Sequence, residues 1–167
     1  MAQLGPPDQF EQQGWQEQLR RVERWHERAT QALDPYSRVL EAEIVDTLYA
    51  FFQAAYHMRD WLQNSGAASQ AQLKLPMESE SLALCRALCN GSKHFVLNPK
   101  QHPETDHIGL LREYVPAPPP GARDGMSNSR PGLLAFVDRQ GNINYRRIDE
   151  LMAQCVTTWQ AFCAGLS

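Results

Sequence analysis

The chain has 167 residues, 43% of them hydrophobic and 21% charged, with a formal net charge of -3. That length fits a single domain able to bury about two-thirds of its unfolded surface. The charge gives no overall attraction to nucleic acid or an anionic membrane, so binding of either kind needs a local basic patch.

Asp46 and Arg59 interrupt the most hydrophobic region, so no run of about 18 apolar residues occurs. The opening "MAQLGPPDQFEQQGWQ" has neither a basic nor an apolar signal region. These features lead us to expect a cytoplasmic protein with no membrane partner.

In chain order, Trp15, Leu19, Val22, His26, Ala29 and Leu33 recur at intervals of three and four, which predicts an amphipathic helix from Gln9 to Leu33. Residues 1–8 are expected to be flexible. Asp34-Pro35 marks a stop and restart, with Asp34 suited to cap and Pro35 to a first helical turn. A second, long helix is expected from Pro35 to Gln63, its stripe formed by Leu40, Ile44, Leu48, Phe51, Ala55, Met58 and Leu62. The short connection makes the first helix its antiparallel neighbour. "NSGAAS" ends it, and "SQAQLKL" suggests a short helical turn.

A third helix begins near "MESES" and includes "SLALCRALCNGSKHFVL", residues 81–97. Gly91 is either its C-terminus or a point of close approach within a helix that continues. Continuation is favoured here because "KHFVL" resumes the apolar pattern. From Asn98 the composition turns strand-like. "HIGLLREYV", "GLLAFVD" and "INYRR" predict a small antiparallel sheet or hairpin, the last two joined across Gln-Gly-Asn. Residues 116–131, rich in Pro, Gly and Ser, are expected to form a long mobile loop. A final helix carries Ile148, Leu151, Met152, Cys155, Trp159, Phe162 and Leu166. The expected fold is therefore mainly α: a bundle of about four main helices, with a small C-terminal antiparallel β-hairpin or sheet before the last helix.

Cysteines 85, 89, 155 and 163 sit on apolar helical sides, which predicts reduced, buried thiols. One helical side stands apart. Arg86, Asn90, Lys93 and His94 lie at offsets of four, seven and eight within a mostly apolar segment. In the second helix, His57 and Asp60 share a side at i and i+3. If the two helices pack, these residues form one cluster, which must be internally satisfied or open to a ligand.

Three chemistries fit that cluster. The first is a structural hydrogen-bond network in a protein-interaction module. The second is a metal-independent ribonuclease, with His94, His57 and Asp60 catalytic and Arg86, Asn90 and Lys93 binding substrate. Histidines supply proton transfer near neutral pH and the cations meet phosphate. The third is a metal site of His57, Asp60 and His94, whose ligand types suit zinc or iron. No close histidine pair accompanies them, so neither a metal nor a cofactor is expected.

"AAYHMRDWL", "LCNGSKHF" and "CVTTWQAF" resemble motifs of a family of small bacterial and prophage-type helical proteins, over residues 45–165. More distantly, the arrangement is similar to HEPN domains, all-helical, often dimeric, and many of them RNases in defence or toxin systems. Their signature is Arg, four to six residues, then His, commonly with Asn after the Arg. Asn90 and His94 match it, whereas Cys89 stands at the Arg position and Arg86 is separated from His94 by seven residues. The resemblance implies an RNA-directed or defence-related role centred on His94, with RNA or protein as partner and a homodimeric assembly.

Overall fold

The apolar stripe of the second helix organises the molecule. The computed structural model describes residues 14–34, 37, 39–91, 107–114, 129–137 and 140–166. Its elements are α1 (Gly14–Leu33), α2 (Glu41–Asn64), α3 (Gln70–Met77), α4 (Glu80–Gly91), β1 (His107–Tyr114), β2 (Ser129–Val137), β3 (Ile143–Arg147) and α5 (Ile148–Ala164). Ile44, Leu48, Phe51, Phe52, Ala55, Met58 and Leu62 of α2 are all buried. Each large side chain among them stabilises the fold by roughly 1.5–3 kcal/mol relative to exposure. α1, α4 and α5 all pack on α2. The fold is thus a mainly helical bundle carrying an antiparallel sheet before the last helix.

Helix boundaries follow local chemistry. α1 is described from Gly14, whose φ is +62°, and residues 9–13 of the expected first helix lie outside the described residues. Residues 1–8 lie outside the described residues. α2 starts at Glu41 rather than Pro35. The Ser37 amide donates to the Asp34 carbonyl at 2.9 Å, and the Val39 amide donates to Ser37 Oγ at 3.1 Å. Such local bonds compete with helix formation. Glu41 and Glu43 then place negative charge in the first turn, where the helix dipole favours it.

The "SQAQLKL" turn extends into a full helix, α3. Ser69 and Gln72 cap it reciprocally, and Leu73 and Met77 are buried. Ser79 separates α3 from α4: its Oγ donates to the Pro76 carbonyl at 2.7 Å and accepts from the Leu82 amide at 3.4 Å. α4 is described as far as Gly91, so the expected continuation through Lys93 and His94 lies outside the described residues. All four cysteines are free and buried. No helix among the described residues is long and apolar enough to cross a membrane.

The three strands lie in the order β1-β2-β3, all antiparallel. Leu134 and Phe136 turn inward and are buried against the helices. β2 starts at Ser129, so the expected 116–131 loop is shorter at that end; its earlier residues lie outside the described ones. The register shifts where Leu111 pairs with Leu133 and Arg112 with Pro131, leaving Gly132 as an extra residue. Pro131 has no amide to give the ladder and Gly132 tolerates the irregularity, so a bulge falls here. Gly141, at φ +82°, turns the chain from β2 into β3.

Candidate functional site

Three backbone carbonyls of α2 fix the helices around it. Phe52 accepts the Cys85 thiol of α4 at 3.2 Å, Ala54 accepts Gln18 Nε2 of α1 at 2.8 Å, and Ala55 accepts Trp159 Nε1 of α5 at 2.8 Å. These contacts show which way each side of α2 faces. His57 follows Phe52 by five residues, so at 3.6 residues per turn it lies about 140° around the helix from the α4 contact.

His57 instead lines a groove of about 510 Å³ with Asp60, Trp61, Asn64, Ser65 and Gly14, where the start of α1 meets the end of α2. The His57 ring leans on Tyr56 at 5.9 Å, and the Arg21 guanidinium lies 5.8 Å from the centre of the Trp61 ring. The sequence expectation that His57 and Asp60 share a side is met, since both line this groove. Their chemistry is not shared. Asp60 Oδ1 accepts from Arg59 Nε at 3.1 Å and Nη2 at 2.9 Å. Burial disfavours the Arg59 charge, but the bonds to Asp60 and Tyr56 outweigh it and hold the guanidinium protonated.

On α4, Arg86 and Asn90 are half-buried, one turn apart. Both have interaction partners within the molecule, and Arg86 Nε is sealed from solvent. Neither lines the His57 groove. Lys93 and His94 lie outside the described residues, and with them the arrangement of the full six-residue cluster. Among the described residues, no group of three or more His, Cys, Asp or Glu side chains is placed to hold a metal ion.

Two further features escaped sequence reading. A groove of about 560 Å³ runs between α2 and α3, lined by Arg59, Gln63, Gln70, Leu73, Lys74 and Met77. In the core, Cys85 has the Cys155 and Cys89 thiols beside it, and the Cys155 thiol bonds the Ser81 carbonyl at 3.5 Å. Burial pushes the Cys85 thiol well above its ordinary range, and the neighbouring thiols add to that; burial alone takes Cys163 to about 11. Thiols held protonated are poor nucleophiles and metal ligands. Compared with protein-family models, curated proteins and solved structures, the chain matches none.

Proposed function

We propose that the chain is a cytoplasmic, non-catalytic interaction module that works as a homodimer, its polar residues on α2 and α4 serving to fix helix packing. One observation carries this reading. The carboxylate and the amide of the stripe that are described are already engaged: Asp60 with Arg59, and Asn90 with a partner inside the molecule. A substrate-binding site for phosphate keeps its cations available, and a general base keeps its carboxylate or imidazole turned toward the reacting proton.

The rival is the metal-independent ribonuclease centred on His94, with His57 and Asp60 assisting and Lys93 meeting phosphate. Asn90→Ala and His94→Ala, each compared with wild type for thermal stability and for cleavage of a labelled RNA in EDTA, separate the two. The scaffold reading expects no cleavage by wild type, and a loss of roughly 1–3 kcal/mol for Asn90→Ala from the stranded polar partner. Cleavage by wild type that His94→Ala reduces about 10²–10⁴-fold, with stability retained, would establish the ribonuclease instead.

A further inference from the structure

Three cysteines meet in the core where α4 packs on α5. Cys85 and Cys155 are fully buried, and Cys89 is 1% exposed. Backbone geometry fixes the meeting point. Within α4 the Cys85 amide donates to the Ser81 carbonyl, and the Cys155 thiol of α5 donates to that same carbonyl at 3.5 Å. Cys155 is therefore seated against the turn of α4 that ends at Cys85, and the two thiols lie side by side. The Cys85 thiol gives its own proton to the Phe52 carbonyl of α2 at 3.2 Å. Neither groove is lined by any of these cysteines.

The fold favours one pairing among the four cysteines. A disulfide needs Cβ atoms about 3.5–4.5 Å apart. Cys85 and Cys89 stand four residues apart on α4, where the helical backbone holds Cβ atoms about 5–6 Å apart. Cys155 and Cys163, eight residues apart on α5, are separated by about 12 Å along its axis. Cys89 lies two turns beyond Ser81, the residue that holds Cys155, whereas Cys85 lies only one turn beyond it. Cys85 and Cys155 belong to different helices, so no backbone spacing keeps them apart.

We propose that Cys85 and Cys155 are a redox-responsive pair, which a small disulfide oxidant converts into a disulfide joining α4 to α5. The conversion takes two exchanges. When the crossing opens locally, one thiol gives its proton to solvent and its thiolate attacks the oxidant's S–S bond. A mixed disulfide forms, and one half of the oxidant leaves as a thiolate that takes up a proton. The second protein thiolate then displaces the other half in the same way. Two protein thiols and one oxidant molecule thus yield one protein disulfide and two small thiols, the two electrons passing to the oxidant. The sealed site explains the selectivity. A close-packed interior has no room for the adduct, so reclosing favours the form that has expelled it. While the crossing is closed, burial keeps Cys85 protonated and out of reach, and the pair stays reduced. The link ties the helix that carries Arg86 and Asn90 to the last helix, and withdraws both thiol protons from the Phe52 and Ser81 carbonyls. It holds whether the chain is an interaction module or a ribonuclease.

Peptide mapping of the full chain tests this. The native protein is incubated with excess glutathione disulfide, then unfolded, alkylated with N-ethylmaleimide and digested with trypsin without reduction. Cys85 and Cys89 fall in separate peptides, residues 75–86 and 87–93, while Cys155 shares residues 148–167 with Cys163. The expected result is the loss of two alkylation sites, with 75–86 joined to 148–167 and fragmentation placing the link at Cys155. Cys89 and Cys163 should carry the alkyl group, and dithiothreitol should restore all four sites. Cys89→Ala should form the same link as wild type, whereas Cys155→Ala should give no joined peptides. Should Cys155→Ala fail to fold, the wild-type map decides by itself. Links made mainly to Cys89 or Cys163 overturn the pairing, and so do lasting glutathione adducts in place of a link. A native chain left unlinked by an oxidant that consumes the thiols of the urea-unfolded chain overturns it as well.

Discussion

The indole N–H of Trp159 reaches the Ala55 carbonyl from a helix 104 residues later in the chain. That carbonyl belongs to a helix, so the indole uses its second lone pair and satisfies a donor that burial would otherwise strand. Trp159→Phe removes the hydrogen bond and leaves space beside a fully buried ring. The expected cost is roughly 1–3 kcal/mol, seen as a lower urea midpoint with an unchanged slope. A change within about 0.5 kcal/mol would show that the bond contributes nothing net. The apolar side on which Trp159 falls is plain from its spacing with Met152 and Cys155. Its acceptor is not, because nothing local to Trp159 points to Ala55.

At the level of elements, α3 shows where local signals stop. "SQAQ" at 69–72 places a serine three residues before a glutamine, and the structure uses both: Ser69 Oγ accepts from the Gln72 amide at 3.3 Å, while Gln72 Oε1 accepts from the Ser69 amide at 2.9 Å. That explains where the helix begins. Its extension to Met77, through Pro76, reflects the burial of Leu73, Pro76 and Met77. Ser69→Ala should therefore loosen α3 without unfolding the bundle. Amides of Leu73, Lys74, Leu75 and Met77 should exchange faster by hydrogen–deuterium exchange, corresponding to about 0.5–2 kcal/mol, while those of α5 stay protected. Equal loss of protection in α5 would mean that α3 is inseparable from the core. α2 shows the same division. Its apolar stripe is unmistakable in sequence, yet a local turn at Asp34–Ser37 moved its start to Glu41.

Over the whole molecule, the pH dependence of stability joins groups on one helix. Burial lowers the pKa of His26, which leans on Phe51 at 5.8 Å, below the ordinary 6.5. The unfolded chain then takes up this proton first, so stability is full above about pH 6.5 and falls as the pH drops through that value. Hydrogen bonds from Arg24 and Arg20 hold Glu17 below its ordinary 4.5, and that stabilisation is lost as the pH falls further, through the folded value. Melting temperatures between about pH 8 and 3 should show two declines on acidification. His26→Gln should remove the upper one and leave the lower. If the upper decline persists in that variant, another group is responsible.

Much of this was open to a reader of the sequence: four amphipathic or apolar helical segments, the strands flanking Gln-Gly-Asn, four buried thiols, and His57 with Asp60 on one side of α2. Each depends on a repeat within a single segment, and backbone geometry fixes that repeat wherever the segment packs. Only the tertiary structure decided what those side chains meet. It directs the α4 contact to Phe52, sets His57 about 140° away beside the start of α1, and commits Asp60 to its neighbour Arg59. The rotation of one helix against another is the sum of many weak apolar contacts spread along α1, α2, α4 and α5, with no single residue strong enough to announce it. Polar groups then pair with whatever that rotation brings within reach, so their partners are set last and are written nowhere in the local pattern.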